Sequence, residues 1–459
     1  MADRIALFGG NFNPPGLHHR IVAKEMARHF DEVIVIPCGP RPDKPTTNDV
    51  DPIYRATMVD LTFRGLKGVT VDLYDLEQEI FTRTDRLDEV FSERGEVWHI
   101  VGTDLISGGG RKESIIQKRW LRGEELWQRL NFAVVVRPGF DFDREDLPPR
   151  SQLFEVEAPG ASYLIRERAF RREQVDDLVT SDVARYIDRY RLYRGTMTGR
   201  SARHQIPEPR FKIYFDERNP KAVALANKFR DQADESDPNC ILVVGGDGTM
   251  LQAIRHHWRE RLPFFGINAG HLGFLLNDSN DLPGGRFPAD NLIVRQLSLL
   301  YVETENSKGE SRNALAFSDA WIERATSQTA WIEVSVDGQV RIPKLVADGA
   351  LVATAAGSTA YARSMGATPL LMETPALILV GSNVMDPPNW KSVILPLDSQ
   401  IEMRALNREK RPLEAYADGE PLGESQWMRL RVSRSAAIEL AFGADHDMAE
   451  KIARIQFPC

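Results

Sequence analysis

Cys240-Ile241-Leu242-Val243-Val244-Gly245-Gly246-Asp247-Gly248-Thr249-Met250 is an apolar run that stops in a glycine-rich turn and passes at once into a helical pattern reaching about Trp258. Strand, tight glycine turn and helix together aim backbone N–H groups at one spot, where an anion can sit. Glycine adds no Cβ, so the chain can approach a phosphate closely there. The turn is not a Walker loop, because no Gly-Lys-Ser/Thr follows. An Asp is a poor phosphate contact, since like charges repel. Asp247 makes sense instead as a base for a hydroxyl that attacks phosphate, with a divalent cation offsetting the charge.

A second unit of the same kind opens the chain. Arg4 to Phe8 is a short strand pattern, Gly9-Gly10-Asn11-Phe12-Asn13-Pro14-Pro15-Gly16 a turn, and 18–29 a helical pattern. Between the two units, strand patterns at 33–36, 69–73, 97–101, 132–136 and 154–157 alternate with helical ones at 54–63 and 84–91. That alternation predicts a parallel, doubly wound sheet. A helical pattern near 179–193 closes this half, and 196–210, rich in Gly, Ser, Thr, Pro and basic residues, reads as a linker. The second half begins with a strand at 211–215 and a helix around 221–232. From Leu292 onward short strands dominate, among them 292–303, 330–336, 351–354, 377–380, 399–405 and 438–442. The predicted domains are thus 1–195 and 211–459, the latter an α/β lobe to about 290 and an all-β lobe beyond.

Composition limits the partners. A chain of 459 residues exceeds one ordinary core. Its net charge of −8 argues against a dedicated nucleic-acid binder. No apolar run approaches the roughly 20 residues that span a bilayer, and the first residues lack a signal-peptide pattern. Three cysteines, Cys38, Cys240 and Cys459, are too few and too scattered for a disulfide framework or thiolate metal site. A cytoplasmic protein is expected, with small-molecule nucleotides rather than nucleic acid or membrane as partners; a homo-oligomer is also expected. No metal ligands are assigned.

Two further stretches follow the first glycine turn: Gly266-Ile267-Asn268-Ala269-Gly270-His271-Leu272-Gly273-Phe274, then Asp348-Gly349 before a strand and Ala356-Gly357-Ser358-Thr359-Ala360-Tyr361 after it. Here the sequence resembles the NAD kinase family, whose three motifs stand in family order between about Phe211 and the C-terminus. The resemblance implies transfer of the ATP γ-phosphoryl group to the adenosine ribose 2′-hydroxyl of NAD, with Mg²⁺ or another divalent cation. It implies Asp247 as base, with Gly245, Gly246, Gly248, Thr249 and Asn268 near the nucleotides. Thr359, Ala360, Tyr361 and Ser364 would line the NAD pocket, and Asp348 would hold the nicotinamide end. Ser318-Asp319 stands where the family has Asn-Glu/Asp, so the acid is kept and the amide lost. Val346 replaces a basic residue of the pattern, with Lys344 close by. Lipid kinases share the Gly-Gly-Asp-Gly-Thr turn but lack the other two motifs.

Residues 4–194 resemble the nicotinate/nicotinamide mononucleotide adenylyltransferases, through Gly10-Asn11-Phe12-Asn13-Pro14-Pro15-Gly16-Leu17-His18-His19 against Gly-x-Phe-x-Pro-x-His/Thr-x-x-His. Arg41-Pro42-Asp43-Lys44, Tyr54-Arg55, Gly102-Thr103-Asp104, Trp120 and Gly160-Ala161-Ser162-Tyr163-Leu164-Ile165-Arg166 match later motifs in whole or part. The resemblance implies attack of a mononucleotide phosphate on the ATP α-phosphorus, helped by His19, Lys44 and Arg166. Gly9, Gly10, Phe12, Arg55, Gly102, Asp104 and Trp120 would border the nucleotides. His18 is a helix-start residue or a second catalyst. Gly16 stands where the family has His or Thr, and the Thr of the last motif is absent.

The fold class implied is α/β: a Rossmann-like nucleotidyltransferase domain, then an NAD kinase-like α/β lobe plus an all-β lobe. The expected protein is a bifunctional enzyme of NAD and NADP synthesis. The alternative is an NAD kinase whose N-terminal half only binds nucleotide.

Overall fold

The computed structural model describes residues 3–41, 49–136, 142–195, 199–270, 272–279, 282, 286–444 and 446–457. The chain forms two compact units, Met1–Gly199 and Arg200–Cys459. No helix among the described residues is long and apolar enough to cross a membrane.

Unit 1 is built on β1 (Arg4–Gly10), β2 (Glu32–Pro37), β3 (Val69–Val71), β4 (Glu96–Gly102), β5 (Asn131–Val135) and β6 (Ser151–Phe154). They form one sheet in the order β3-β2-β1-β4-β5-β6, every pairing parallel. The order reverses beside β1, which opens a crevice at the carboxyl ends of β1 and β4, where nucleotide folds bind their ligands. β1 and β2 carry Ile5, Ala6, Leu7 and Val33 to Ile36 fully inside, as strands covered on both faces require. Helices Leu17–Met26 and Pro52–Phe63 supply much of that cover through Val22, Ala23, Met26, Val59 and Phe63.

Unit 2 contains β7 (Ser201–His204), β8 (Phe211–Phe215), β9 (Cys240–Gly245), β10 (Pro263–Asn268), β11 (Asn277–Asp278), β12 (Leu292–Glu305), β13 (Ser311–Ala316), β14 (Asp319–Arg324), β15 (Ala330–Val336), β16 (Gln339–Ala347) and β17 (Gly349–Thr354). The remaining strands are β18 (Ala376–Ser382), β19 (Val393–Pro396), β20 (Ile401–Ala405), β21 (Leu413–Ala417), β22 (Glu420–Glu424) and β23 (Trp427–Gly443). One sheet runs β16-β15-β20-β23-β10-β9-β8, with β12 paired to β23, β13 and β7. The other is antiparallel, β19-β18-β17-β14-β21-β22. A single apolar cluster draws Ile332, Leu345, Met403 and Leu430 from the first sheet and Ile322, Val352, Leu379 and Ala415 from the second, the core of a sandwich.

Two boundaries differ from the sequence expectation. Residues 201–204, read as linker, are strand β7, because their backbone pairs with 292–295 of β12. The expected all-β lobe also does not run to the C-terminus. The second half of β23 returns to pair in parallel with β10, and helix Met448–Gln456 packs Met448 and Ile452 into the core under that parallel sheet. The cause is burial: Ala436 to Phe442 is inside on both faces and needs cover above and below.

Candidate functional site

In unit 2, β9 ends at Gly245 and the helix Asp247–His257 starts with Asp247 as its first residue. Gly246 is the N-cap; the Thr249 hydroxyl accepts its N–H at 3.4 Å, and a Cβ on Gly245 would strike that threonine. Thr249 thus shapes the turn. Gly248 is exposed, with open space where a Cβ would stand. The Asp247 carboxylate accepts two backbone N–H groups from the second glycine turn, Phe274 at 3.0 Å and Leu275 at 2.9 Å. Burial pushes its pKa above the usual carboxylate value, while the two amides and Lys451 pull the other way. Asn268 also serves this turn: its Oδ1 accepts the Gly270 N–H at 2.8 Å and its Nδ2 donates to Asp278 at 3.4 Å. The buried amide side chain is therefore a brace, not an open nucleotide contact. His271 of the same stretch lies outside the described residues.

The third motif folds against Ser318 and Asp319. Thr354 Oγ1 donates to the carbonyls of Phe317 and Ser318, and the Gly357 N–H donates back to Thr354 Oγ1 at 3.2 Å. A Cβ on Gly357 would collide with the Ser318 carbonyl, so only glycine fits that approach. Phe274, Phe317 and Met250 share one buried cluster with Ala356 at its edge, which joins the three motifs through a common core. Ser358 is fully buried, its hydroxyl donating to the Ala355 carbonyl at 2.6 Å and accepting from Leu370. Thr359 is half-buried; Ala360 and Ser364 are exposed, with the Ser364 hydroxyl donating to the Tyr361 carbonyl at 2.7 Å. Tyr361 is 42% exposed, its ring edge-on to Trp321 at 5.4 Å, and Trp321 stacks on Tyr416. Core packing does not account for so open a ring.

Asp348 has both oxygens engaged, by Asn383 Nδ2 at 2.6 Å and by Arg324 Nε at 2.6 Å, and the Asn383 hydrogen bond first, then Arg324, hold its pKa below the usual value. Arg324, from β14, is the cation paired with Asp348. Lys344 lies elsewhere, over the Trp331 ring at 4.4 Å. Three groups escaped the sequence reading. Asp418 accepts the N–H groups of Phe317, Ser318 and Asp319; Arg255 donates to the Asp418 carbonyl; and Lys451 reaches the second glycine turn. Of these, only the Asp418-Gly419 hairpin dipeptide carries a local signal, and that signal announces a turn rather than a brace.

In unit 1, Gly9 and Gly10 end β1, and Gly9 is exposed with open space at its Cβ position. Phe12 is buried, edge-on to Phe8, Phe63 and the His19 ring; it is core, not a ligand contact, and its φ of 44° is a strained value for a residue with a Cβ. His19 Nδ1 accepts the Gly16 N–H at 3.1 Å, which puts the proton of the neutral ring on Nε2. The His18 and His19 ring centres are 3.9 Å apart. A Cβ on Gly16 would lie 2.7 Å from His18 Nδ1 and Cε1, so the His18 ring fills the place where a residue-16 side chain would begin. Gly160, at φ +130°, closes on the same ring, 3.1 Å from His18 Nδ1 to its would-be Cβ.

Arg55, expected beside nucleotide, is 1% exposed, and its Nη2 donates to the carbonyls of Asn11 at 2.6 Å and Cys38 at 2.7 Å. A guanidinium so desolvated takes backbone carbonyls as partners, and here it fastens the 9–16 loop from below. Arg166 Nη1 donates to the Asn13 carbonyl, and the Tyr193 hydroxyl donates to Asn13 Oδ1 at 2.6 Å. Gly102 and Asp104 stand at the end of β4, Gly102 as N-cap of helix Thr103–Ile106. Trp120 is half-buried against the cluster of Val101, Ile106 and Phe132, a packing position. Lys44 lies outside the described residues. Among the described residues no three His, Cys, Asp or Glu gather as a metal site.

The family model of the ATP-NAD kinase N-terminal domain matches residues 166–279, and the cytidylyltransferase-like model matches residues 7–185. NAD kinase of Rickettsia bellii is 32% identical over 240 residues, 52% of this chain and 94% of the relative. NAD kinase of Zymomonas mobilis is 35% identical over 253 residues, again 52% and 94%. A solved structure of yeast NADH kinase complexed with NADH is 16% identical, with a TM-score of 0.47, over 57% of this chain and 88% of its own. The chain belongs to the NAD kinase family and carries a cytidylyltransferase-like domain ahead of its kinase region.

Proposed function

We propose that unit 2 transfers the γ-phosphoryl group of ATP to the adenosine ribose 2′-hydroxyl of NAD. The observation that carries this reading is the Asp247 carboxylate, set at a helix start after a glycine turn and aimed by two backbone amides. Asp247 takes the hydroxyl proton as the ribose oxygen bonds to the γ-phosphorus and ADP departs. Its raised pKa suits a base, since a weakly acidic carboxylate holds the transferred proton better. Glycine-turn amides and the helix N-terminus offset phosphate charge. A divalent cation carried by ATP offsets the phosphate charge in this reading. Tyr361, with 42% of its surface open, suits a flat heterocycle.

Unit 1, in the same proposal, transfers adenylyl from ATP to nicotinate or nicotinamide mononucleotide. The mononucleotide phosphate oxygen bonds to the α-phosphorus and pyrophosphate leaves, so positioning and charge neutralisation supply the catalysis. His19 at the helix start, with its Nε2 proton, and Arg166 support this reading. A second reading, favoured by the bare Gly16 and by the commitment of Arg55 to the loop, makes unit 1 a nucleotide-binding module without turnover.

The test is a product assay of the full chain with ATP, Mg²⁺ and either NAD or a pyridine mononucleotide. NADP formation that vanishes in Asp247→Asn while pyrophosphate release persists, with the reverse in His19→Ala, supports two independent enzymes. A parent chain that makes no NADP defeats the kinase reading. Mononucleotide binding without pyrophosphate release selects the binding-module reading.

A further inference from the structure

Lys451 lies on helix Met448–Gln456, at the opposite end of the kinase sequence from Asp247, yet its ammonium is buried at 4% exposure. Its Nζ donates to the carbonyls of Gly273 at 2.9 Å and Leu276 at 2.8 Å, and stands 3.4 Å from Asp278 Oδ2. Those two carbonyls bracket Phe274 and Leu275, the residues whose N–H groups hold the Asp247 carboxylate. One ammonium therefore ties both ends of a four-residue turn whose middle grips the carboxylate. The turn is tight as well: a Cβ on Gly273 would lie 2.8 Å from Leu276 Cδ1 and 3.4 Å from Asp247 Oδ1. A helix that only had to cover the sheet would fill this place with another apolar residue, as Met448 and Ile452 do on the same face. Burying an ammonium is costly unless it is paired and hydrogen-bonded, and here the turn carbonyls and Asp278 meet that need.

We propose that Lys451 is a positioning residue for phosphoryl transfer, locking the 273–276 turn so that its amides hold Asp247 in line with the attacking hydroxyl. The inference rests on Asp247 acting as the base. Lys451 is also the charged group that acts on Asp247 among the described residues, with Asp278 its counter-charge.

The experiment compares Lys451→Met, Lys451→Gln and Asp247→Asn with the parent full chain in NADP formation from ATP, Mg²⁺ and NAD. Loss of the lysine is expected to lower kcat roughly ten- to a hundred-fold, the effect of a small misplacement of a reacting group, with KM for both substrates little changed. The acid limb of the kcat profile should also move to higher pH, since a cation that favours the Asp247 carboxylate is gone. Lys451→Gln keeps a donor for one carbonyl and should fall between parent and Lys451→Met; it decides the matter if the methionine chain does not fold. A lower melting temperature with kcat and acid limb as in the parent would mean a merely structural lysine and overturns the proposal. Failure of the underlying reading looks different: Asp247→Asn would then keep the parent's rate.

Discussion

Asp418 grips the backbone of Asp319 from both sides: its N–H donates to the Asp319 carbonyl at 2.9 Å, and its carboxylate accepts the Asp319 N–H at 3.2 Å. The hairpin between β21 and β22 thereby fixes the start of β14, where Ser318 and Asp319 face the Gly357 loop. It also brings two carboxylates together in a buried place, and Asp319 itself is 5% exposed. Burial, with the neighbouring charge of Asp418, pushes the Asp319 pKa up to about 7.

Stability should follow that shift. The folded state binds the Asp319 proton more tightly than the unfolded chain does, so the contribution is present at acid pH and is lost as pH rises toward 7 and above. Asp319→Asn cannot ionise and is expected to raise the melting temperature of unit 2 at pH 8 by about 2–4 °C or more. The advantage should shrink toward pH 4. Thermal melts of parent and variant at pH 5, 6.5 and 8 check this; a parent as stable as the variant at pH 8 refutes it.

Gly357→Ala should separate the loop from β14. The obstructing atoms are the carbonyl and Cα of Ser318, which are backbone and cannot swing aside. Overpacking of this kind costs about 1–3 kcal/mol, and the displaced loop should raise KM for NAD. Melting and steady-state kinetics read both effects together. An unchanged KM would detach the loop from dinucleotide binding.

Tyr361 separates binding from folding. With 42% of its surface open, its loss should leave the melting temperature nearly unchanged. Ring contacts of this type contribute about 0.5–1.5 kcal/mol, so Tyr361→Ala should raise KM for the dinucleotide roughly two- to twelve-fold. Tyr361→Phe keeps the ring and should behave as the parent. Equal KM values for all three would remove Tyr361 from the pocket.

What the sequence could and could not announce follows from how far each signal travels. Strand, glycine turn and helix are local, so both nucleotide-type units and most strands were legible from a few consecutive residues. The three kinase motifs were legible as short strings. Their braces were not. Lys451 sits on a short amphipathic helix where a lysine ordinarily faces solvent, and only the return of β23 to β10 carries it beneath the second glycine turn. Arg324 reaches Asp348 through the pairing of β14 with β17, a contact invisible to spacing. Arg55 was placed beside nucleotide through the resemblance of Tyr54-Arg55 to a family pair, whereas in the fold its guanidinium donates to carbonyls on two other segments. A guanidinium serves either need, and only the fold decides which.

The Gly16 and His18 pair offers the sharpest test of unit 1. Residue 16 has no side chain, and the His18 ring occupies the space where one would start, 2.7 Å from the would-be Cβ. If that ring stands in for the absent group, His18→Gly should slow pyrophosphate release roughly ten- to a hundred-fold, the worth of one charge-assisted hydrogen bond in the transition state. Gly16→Thr alone should also slow it, because the new Cβ and the ring compete for one place. Combining the two changes moves the polar group from one residue to the other and removes the clash with the ring, leaving only the flexible Ile165 Cδ1, 3.0 Å from the new Cβ, to give way, and activity should recover above either single variant. A double variant no better than His18→Gly would show that the ring merely packs there. Steady-state pyrophosphate release with ATP and mononucleotide, measured for the four chains side by side, separates these outcomes.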